Sequence, residues 1–453
     1  MLKRPLLPLA ATLLVVLLPT AARPDEPRTA PAGDEPRAVA AAEEPRTAGS
    51  APPAAAASST DPATQDQVKA LAEELRRLKL EIGIPDAEYR SFAGMGPAAS
   101  KVYFVPKGLS IGGYGEITYR NNLDDAPNDT SDLLRAVLYL GYRFNERILF
   151  NSEIEYEHGG HEVAVEFAYL DFLLTPAARI RVGNLLVPMG FVNEMHEPAF
   201  FNGVNRPDVE RNIIPTTWNE NGVGLHGELG GLRYKLYALN GLDLFASEDE
   251  PLQPGSWLRR ARTGGAEAAA ETFAGVLALG YDFGPATVAA AAYRGRAGQD
   301  RTAPTGERIR ADVTILEAHA GVTWRGFQAR VLGVQGRLGD ADLASAALEL
   351  PPEQSLASRV RGGYAELGYD VLARGGGESA LIPFVRYERL DLQDQVPAGA
   401  IADPALRYDL VTTGLTYKPI ATVVLKADWQ WRKTDATSGA VSRALNVGAG
   451  FVF

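Results

Sequence analysis

Arg443-Ala-Leu-Asn-Val-Gly-Ala-Gly-Phe-Val-Phe453 is the stretch that decides the fold. From Leu445 every second residue is apolar: Leu445, Val447, Ala449, Phe451 and Phe453. That period belongs to a β-strand with one apolar face. A strand with an aromatic last residue would fray at the edge of a soluble sheet and expose that face to water. In a closed barrel within lipid the last strand pairs with the first, and acyl chains solvate the apolar face.

Working outward from this ending, the region from about residue 110 divides into runs of period-2 alternation. They fall at 110–120, 133–144, 147–157, 162–174, 179–187, 221–229, 232–240, 271–283, 286–296, 311–324, 326–337, 358–372, 380–391, 405–417, 420–432 and 443–453. Sixteen is an even number, as a closed antiparallel barrel requires of strands joined up and down. The connections alternate independently. Those after odd-numbered runs are long: 121–132, 188–220, 241–270, 297–310, 338–357, 392–404 and 433–442, with only Gly159-Gly160 short. Those after even-numbered runs are tight: Asn145-Glu146, Thr175-Pro-Ala-Ala178, Gly230-Gly231, Gly284-Pro285, Arg325, Ala373 to Ser379, and Lys418-Pro419. A misread strand would have broken this parity downstream.

The two faces differ as a membrane barrel demands. In 420–432, Val423, Leu425, Ala427, Trp429 and Trp431 share one face, and Thr422, Val424, Lys426, Asp428, Gln430 and Arg432 the other. Aromatic residues gather near run ends, at Phe144, Phe172, Tyr281, Phe283, Trp324, Phe327, Tyr417, Trp429 and Trp431, where interfacial girdles belong. The fold expected is all-β, a transmembrane antiparallel 16-stranded β-barrel over 110–453 with a short N-terminal coiled-coil helix.

Upstream, Lys3 and Arg4 precede an apolar run to Leu18, and Thr20-Ala-Ala22 supplies small residues. Residues 1–22 therefore read as a cleaved signal peptide, too short and too proline-broken for a membrane helix. Residues 23–63, with Asp25-Glu-Pro-Arg repeated as Asp34-Glu-Pro-Arg and Glu43-Glu-Pro-Arg, read as a disordered Ala/Pro/Glu-rich linker. Over 64–83, Val68, Leu71, Leu75, Leu78 and Ile82 follow 3-4-3-4 spacing and form a coiled-coil seam, stopped by Gly83 and Pro85. Two heptads are marginal alone; the seam either joins copies held together by an oligomeric barrel or packs on its own barrel. Residues 84–109 read as a connector.

Composition excludes several functions. The 453 residues carry a net charge of -11 and no cysteine. No nucleic-acid partner is expected of that charge, and no disulfide or thiol chemistry is possible. His196 and His226 belong to no hydrolase pattern, so no catalytic residue and no enzymatic activity are expected. No cofactor is expected. His158-Gly-Gly-His161 with Glu157 and Glu162 could hold a metal at a hairpin tip, but a solvated turn explains it equally, and no metal is assigned.

Sixteen strands enclose a lumen too wide for side chains alone, so the expected interior is aqueous. The connection 188–220 is rich in Phe191, Phe200, Phe201, Ile213, Ile214 and Trp218 and carries four prolines, which implies packing rather than a floppy surface loop. It is expected to fold inward as a pore constriction presenting Glu194, His196, Glu197, Arg206, Asp208, Glu210 and Arg211. The alternative is an outward, partner-binding loop. By alternation the lumen is lined by Arg135, Arg143, Glu153, Glu155, Glu157, Glu166, Arg179, Arg181, Arg233, Lys235, Arg386 and Lys426, among others. Glu153, Glu155, Glu157 and Glu166 face Arg179 and Arg181, either as a transverse field or as neutralising neighbours. The inward charges nearly cancel, so only modest ion selectivity is expected.

The terminal Phe453 resembles the C-terminal aromatic signature of bacterial outer-membrane barrels. Arg181-Val-Gly-Asn-Leu-Leu-Val-Pro-Met-Gly-Phe191, with Asn205-Arg-Pro207 and Trp218-Asn-Glu-Asn-Gly-Val-Gly-Leu-His-Gly227, resembles the phosphate-selective porin O and P family. That resemblance implies a passive, trimeric outer-membrane channel, inserted by the barrel assembly machinery, with Phe453 as assembly signal. The other reading is a structural anchor in outer-membrane lipid, whose residues 23–83 contact cell wall or a periplasmic partner.

Overall fold

The computed structural model describes residues 69, 70, 73, 90–124, 128–246, 252–436, 439 and 441–453. The signal segment, the linker and the seam positions Val68, Leu71, Leu75, Leu78 and Ile82 lie outside the described residues.

The strands are β1 (Gly108–Asn122), β2 (Thr130–Arg143), β3 (Ile148–Glu157), β4 (Glu162–Thr175), β5 (Ala178–Leu186), β6 (Asn219–Leu229), β7 (Leu232–Asn240) and β8 (Phe273–Phe283). They continue as β9 (Ala286–Arg296), β10 (Asp312–Trp324), β11 (Phe327–Leu338), β12 (Arg359–Tyr369), β13 (Ala380–Gln395), β14 (Arg407–Ile420), β15 (Val423–Thr434) and β16 (Val441–Val452). Each pairs antiparallel with its sequence neighbours, and β16 pairs with β1, so sixteen strands close a barrel without an edge. The links after even-numbered strands lie at one end, the turn end; the long connections lie at the other, the loop end. Among the described residues no helix is long and apolar enough to cross a membrane, but strands cross by a different rule.

The closing seam explains the sequences of β1 and β16. Tyr114 sits opposite Val452, and the backbones of Gly113 and Phe453 exchange hydrogen bonds of 3.0 and 2.9 Å. On the outer face the ring of Phe453 covers Gly113 and that of Phe451 covers Gly115, leaving no room for a Cβ at either glycine. The aromatic rings supply the packing that the glycines lack.

Alternation holds along most strands. On β15, Leu425 and Trp431 face out while Lys426, Asp428 and Gln430 are buried inside. It breaks at bulges. On β4, Glu153 of β3 pairs with Phe167 and Ile154 with Val165, so Glu166 is the extra residue and both Glu166 and Phe167 turn inward. On β13 a larger irregularity between Asp391 and Gln395 presents Asp394 to Arg359 and Arg361.

The expectation of an open aqueous interior is not what the described residues show. The loop-end half contains a packed apolar core built from the wall (Tyr237, Leu239, Val276, Tyr293, Val313, Ile315) and from the connections (Val209, Ile213, Ile214, Trp218, Trp257). Side chains of the strands alone cannot span such a barrel; inward-folded connections do. Trp257, from the connection after β7, fits over Gly336 and donates its indole N–H to Ala357 at 3.2 Å.

Candidate functional site: the lumen

Two chain segments occupy the lumen. The first is the connection between β5 and β6, residues 187–218. It contains a short helix, α2 (Asp208–Asn212), numbered after α1 (Pro97–Ser100) near the N-terminus. Most of its apolar residues are buried, and Phe191 and Phe200 are partly so, which accounts for the composition of that stretch. Its polar groups are satisfied by the wall on several sides. Gly190 N–H donates to Glu317 of β10 at 3.2 Å, Asn202 to Glu366 of β12 at 3.1 Å, and Val209 N–H to Glu388 of β13 at 3.1 Å. Val204 N–H donates to Asp428 of β15 at 2.6 Å, and His196 meets Glu153 of β3 at 3.0 Å. Arg330 and Lys418 donate to the carbonyls of Phe200 and Ala199. The segment therefore crosses the lumen rather than standing outside it.

The second segment was expected only as a connector. Residues 91–105 enter from the turn end and pack inside against β1 to β5. Backbone N–H groups of Ala98 and Ala99 donate to Glu197 Oε1 at 3.0 and 3.2 Å, joining the two segments. Asn151 donates to Ala99 O at 2.8 Å, and Val102 occupies the space left by Gly141. Tyr103 donates to Asp171 at 2.7 Å, accepts from Arg181 at 3.0 Å and stacks on Phe92 with centroids 3.9 Å apart. Burial drives the Glu197 carboxyl up to about 8 despite those two N–H donors.

The seven loop positions have separate environments. Glu194 pairs with Lys235, and Arg206 is buried, with its Nη2 on the carbonyl of His196. Asp208 accepts from Tyr408 and pairs with Arg211 and Arg432. Glu210 accepts from Tyr364 at 2.7 Å and from Val192 N–H at 2.8 Å, staying within its own loop on one side. Arg211 is half exposed. Over this loop lies the connection after β7, where Arg262 donates to the carbonyls of Pro215 and Thr217. Burial, with Arg262 and Arg211 nearby, pushes the Arg259 guanidinium down to about 9.

The wall positions also divide. Arg135 bridges Glu116, Glu155 and Glu157, so neighbouring strands neutralise part of the acidic patch. Arg181 is sealed against Asp171, and Arg386 against Glu366 and Glu388. Arg143 lies at the turn end, where it clasps the carbonyls of Tyr103 and Val105 at 2.7 and 2.9 Å. Lys426 lies 3.6 Å from the Phe201 ring centroid with no hydrogen-bond partner for its Nζ. Arg179 stacks over Phe92. Sequence reasoning missed Asp171, Phe167 and Tyr103. Asp171 was within reach of alternation; the uncharged run of Met95 to Ser100 was the available signal for the inner segment.

Two cavities flank the crossing loop, one on each side. At the turn end a cavity of about 440 Å³ lies between the loop and β5 to β11; its charges are Arg179, Arg233, Lys235 and Arg330 with Glu194, Glu228, Asp282 and Glu317. At the loop end a cavity of about 270 Å³ carries the charges of Arg120, Asp124, Asp208, Arg211, Arg432 and Arg443.

No family model matches the chain. Among solved structures it is similar to OmpT, an outer membrane protein of Vibrio cholerae (16% identity, 81% of this chain and 100% of that one, TM-score 0.47). It is also similar to an anion-selective porin from Comamonas acidovorans (14%, 77% and 100%, TM-score 0.47) and to the outer membrane channel DcaP of Acinetobacter baumannii (11%, 76% and 97%, TM-score 0.47). At these scores the likenesses say nothing about what crosses this barrel. In sequence it is 39% identical over 368 residues to an uncharacterized protein of Aquifex aeolicus, covering 78% of this chain and 82% of that one. With a match of that extent, this chain belongs to the same family as the Aquifex aeolicus protein.

Proposed function

We propose that this chain is an outer-membrane channel, a passive path for small hydrophilic solutes or ions, constricted by the loop over 187–218. The observation that carries this reading is the loop itself, hydrogen-bonded to β3, β10, β12, β13 and β15 with a charge-lined cavity on either side. The edgeless barrel and its apolar outer face, with Phe144, Tyr281, Phe283, Trp324, Phe327 and Tyr417 exposed toward the turn end, support a place in lipid, turn end to the periplasm. A homotrimer fits this reading. Purified protein in planar bilayers should give discrete ohmic steps. Deleting residues 189–216 should enlarge them, and an unchanged step would remove the loop from the resistance. Reversal potential in a KCl gradient should show modest selectivity, because the four cations of the turn-end cavity face four carboxylates.

The packed interior favours a second reading, a lipid anchor whose periplasmic arm holds a partner. A folded barrel that never conducts, with or without the loop, would establish it over the channel.

In either reading Phe453 serves assembly. Its ring covers Gly113 at the closing seam and its backbone makes two of the seam's hydrogen bonds. Deleting it should lower the fraction of chain reaching the heat-modifiable folded form on gels, while the folded remainder keeps the parent conductance. Normal folding yield would show that the seam closes without it.

A further inference from the structure

We infer that Glu153, Glu166 and His196 form a divalent-cation site, of the type that zinc occupies, which pins the crossing loop to β3 and β4. The three ligand atoms lie within 4.8 Å of one another, and all three side chains are at least nine-tenths buried. Imidazole with carboxylate oxygens is a donor set that suits zinc.

Hydrogen-bond valence makes the argument sharper. His196 Nδ1 lies 3.0 Å from the carbonyl of Asn193. A carbonyl only accepts, so Nδ1 carries the proton and donates. Nε2 then points its lone pair at both oxygens of Glu153, at 3.0 and 3.2 Å. Two lone pairs held face to face repel unless a proton or a metal cation lies between them. A histidine that gives its second N–H to a backbone carbonyl is also how metal-ligating imidazoles are oriented.

Charge points the same way. Glu155 lies against Glu166, so three carboxylates converge. Among the described residues Arg135 pairs with Glu155, and buried Arg206 lies near Glu153 and Glu166 without a direct ion pair to either. An unpartnered group stands beside the cluster. Tyr114, 1% exposed, has its ring 5.9 Å from that of His196, and its hydroxyl has no hydrogen-bond partner. Glu166 Oε2 is likewise buried without one. By contrast, the cluster of Glu157, His158 and Glu162 is largely exposed, and His158 is satisfied by Asp132.

The test is zinc titration of the full-length, chelator-treated protein by calorimetry, with calcium as comparison. Expected is saturable one-to-one zinc binding, weakened about tenfold or more by Glu166→Gln and by His196→Gln, the usual cost of disturbing a metal's ligands or their supports. His158→Ala should leave binding unchanged. Absence of saturable binding would overturn the site and leave a proton shared between His196 and Glu153. Binding indifferent to both substitutions would overturn it too. If the variants fail to fold, anomalous diffraction from zinc-soaked wild-type crystals decides: a peak between Glu153 and His196 supports the site, and a peak elsewhere sinks it.

Discussion

A chain lacking residues 23–104 should still close its barrel, and it should conduct several-fold better than the parent. Closure is independent of the missing part because β1 begins at Gly108 and carries the whole seam with β16. The gain comes from emptying one side of the lumen. Met95, Ala98, Ala99, Val102 and Tyr103 are all buried inside, and their removal exposes Asn151, Asp171, Arg181 and Glu197 to water. The truncated barrel should also melt earlier, since each large apolar side chain lost from the interior forfeits about 1.5–3 kcal/mol of burial. Single-channel steps in planar bilayers read the first effect and heat-modifiability on gels reads the second. Equal steps from parent and truncated protein would mean that current passes elsewhere, through the β5 to β11 side. Current from the truncated form alone would make the inner segment a closure of the lumen.

Much of this barrel is legible in its sequence because lipid outside and polar groups inside impose a strict alternation. All sixteen expected strands form, and the pairing of Arg443–Phe453 with the first strand is observed. What alternation cannot see is a residue inserted out of phase. Glu166 sits in a bulge, and nothing in the local residue pattern warns that Phe167 follows it inward. Nor can local pattern reveal which wall a loop will meet. The apolar content of 187–218 implied burial, but Asn202, Val204 and Val209 find partners more than a hundred residues away. The inner segment around Gly96-Pro-Ala-Ala-Ser100 is short, and its burial depends on Glu197 rather than on its own periodicity. The charges that alternation turns inward also separate into sealed ion pairs and cavity-facing groups only when depth is known.

Arg386→Ala should be among the most damaging single substitutions in the barrel wall. The guanidinium is 1% exposed and spends every nitrogen: Nε on Glu388 at 3.1 Å, Nη1 on Glu366 at 3.1 Å and on Asn202 O at 3.2 Å, and Nη2 on Asn205 O at 3.1 Å. It is the tie between two strands and the crossing loop. Its loss leaves Glu366 and Glu388, both buried, without their cation, and breaking a buried pair from one side costs about 3–5 kcal/mol. The two carbonyls of the loop lose their donor at the same time, so the far arm of 202–209 should detach as well. Urea unfolding of the detergent-solubilised protein measures the stability loss, and single-channel noise reports the freed loop. The cause can be separated from simple loss of bulk. Arg386→Met combined with Glu366→Gln and Glu388→Gln removes the charges together, and most of the stability should return. A triple variant as unstable as Arg386→Ala would instead locate the energy in the bonds to Asn202 and Asn205, making Arg386 a clamp for the loop before it is a counter-ion for the wall.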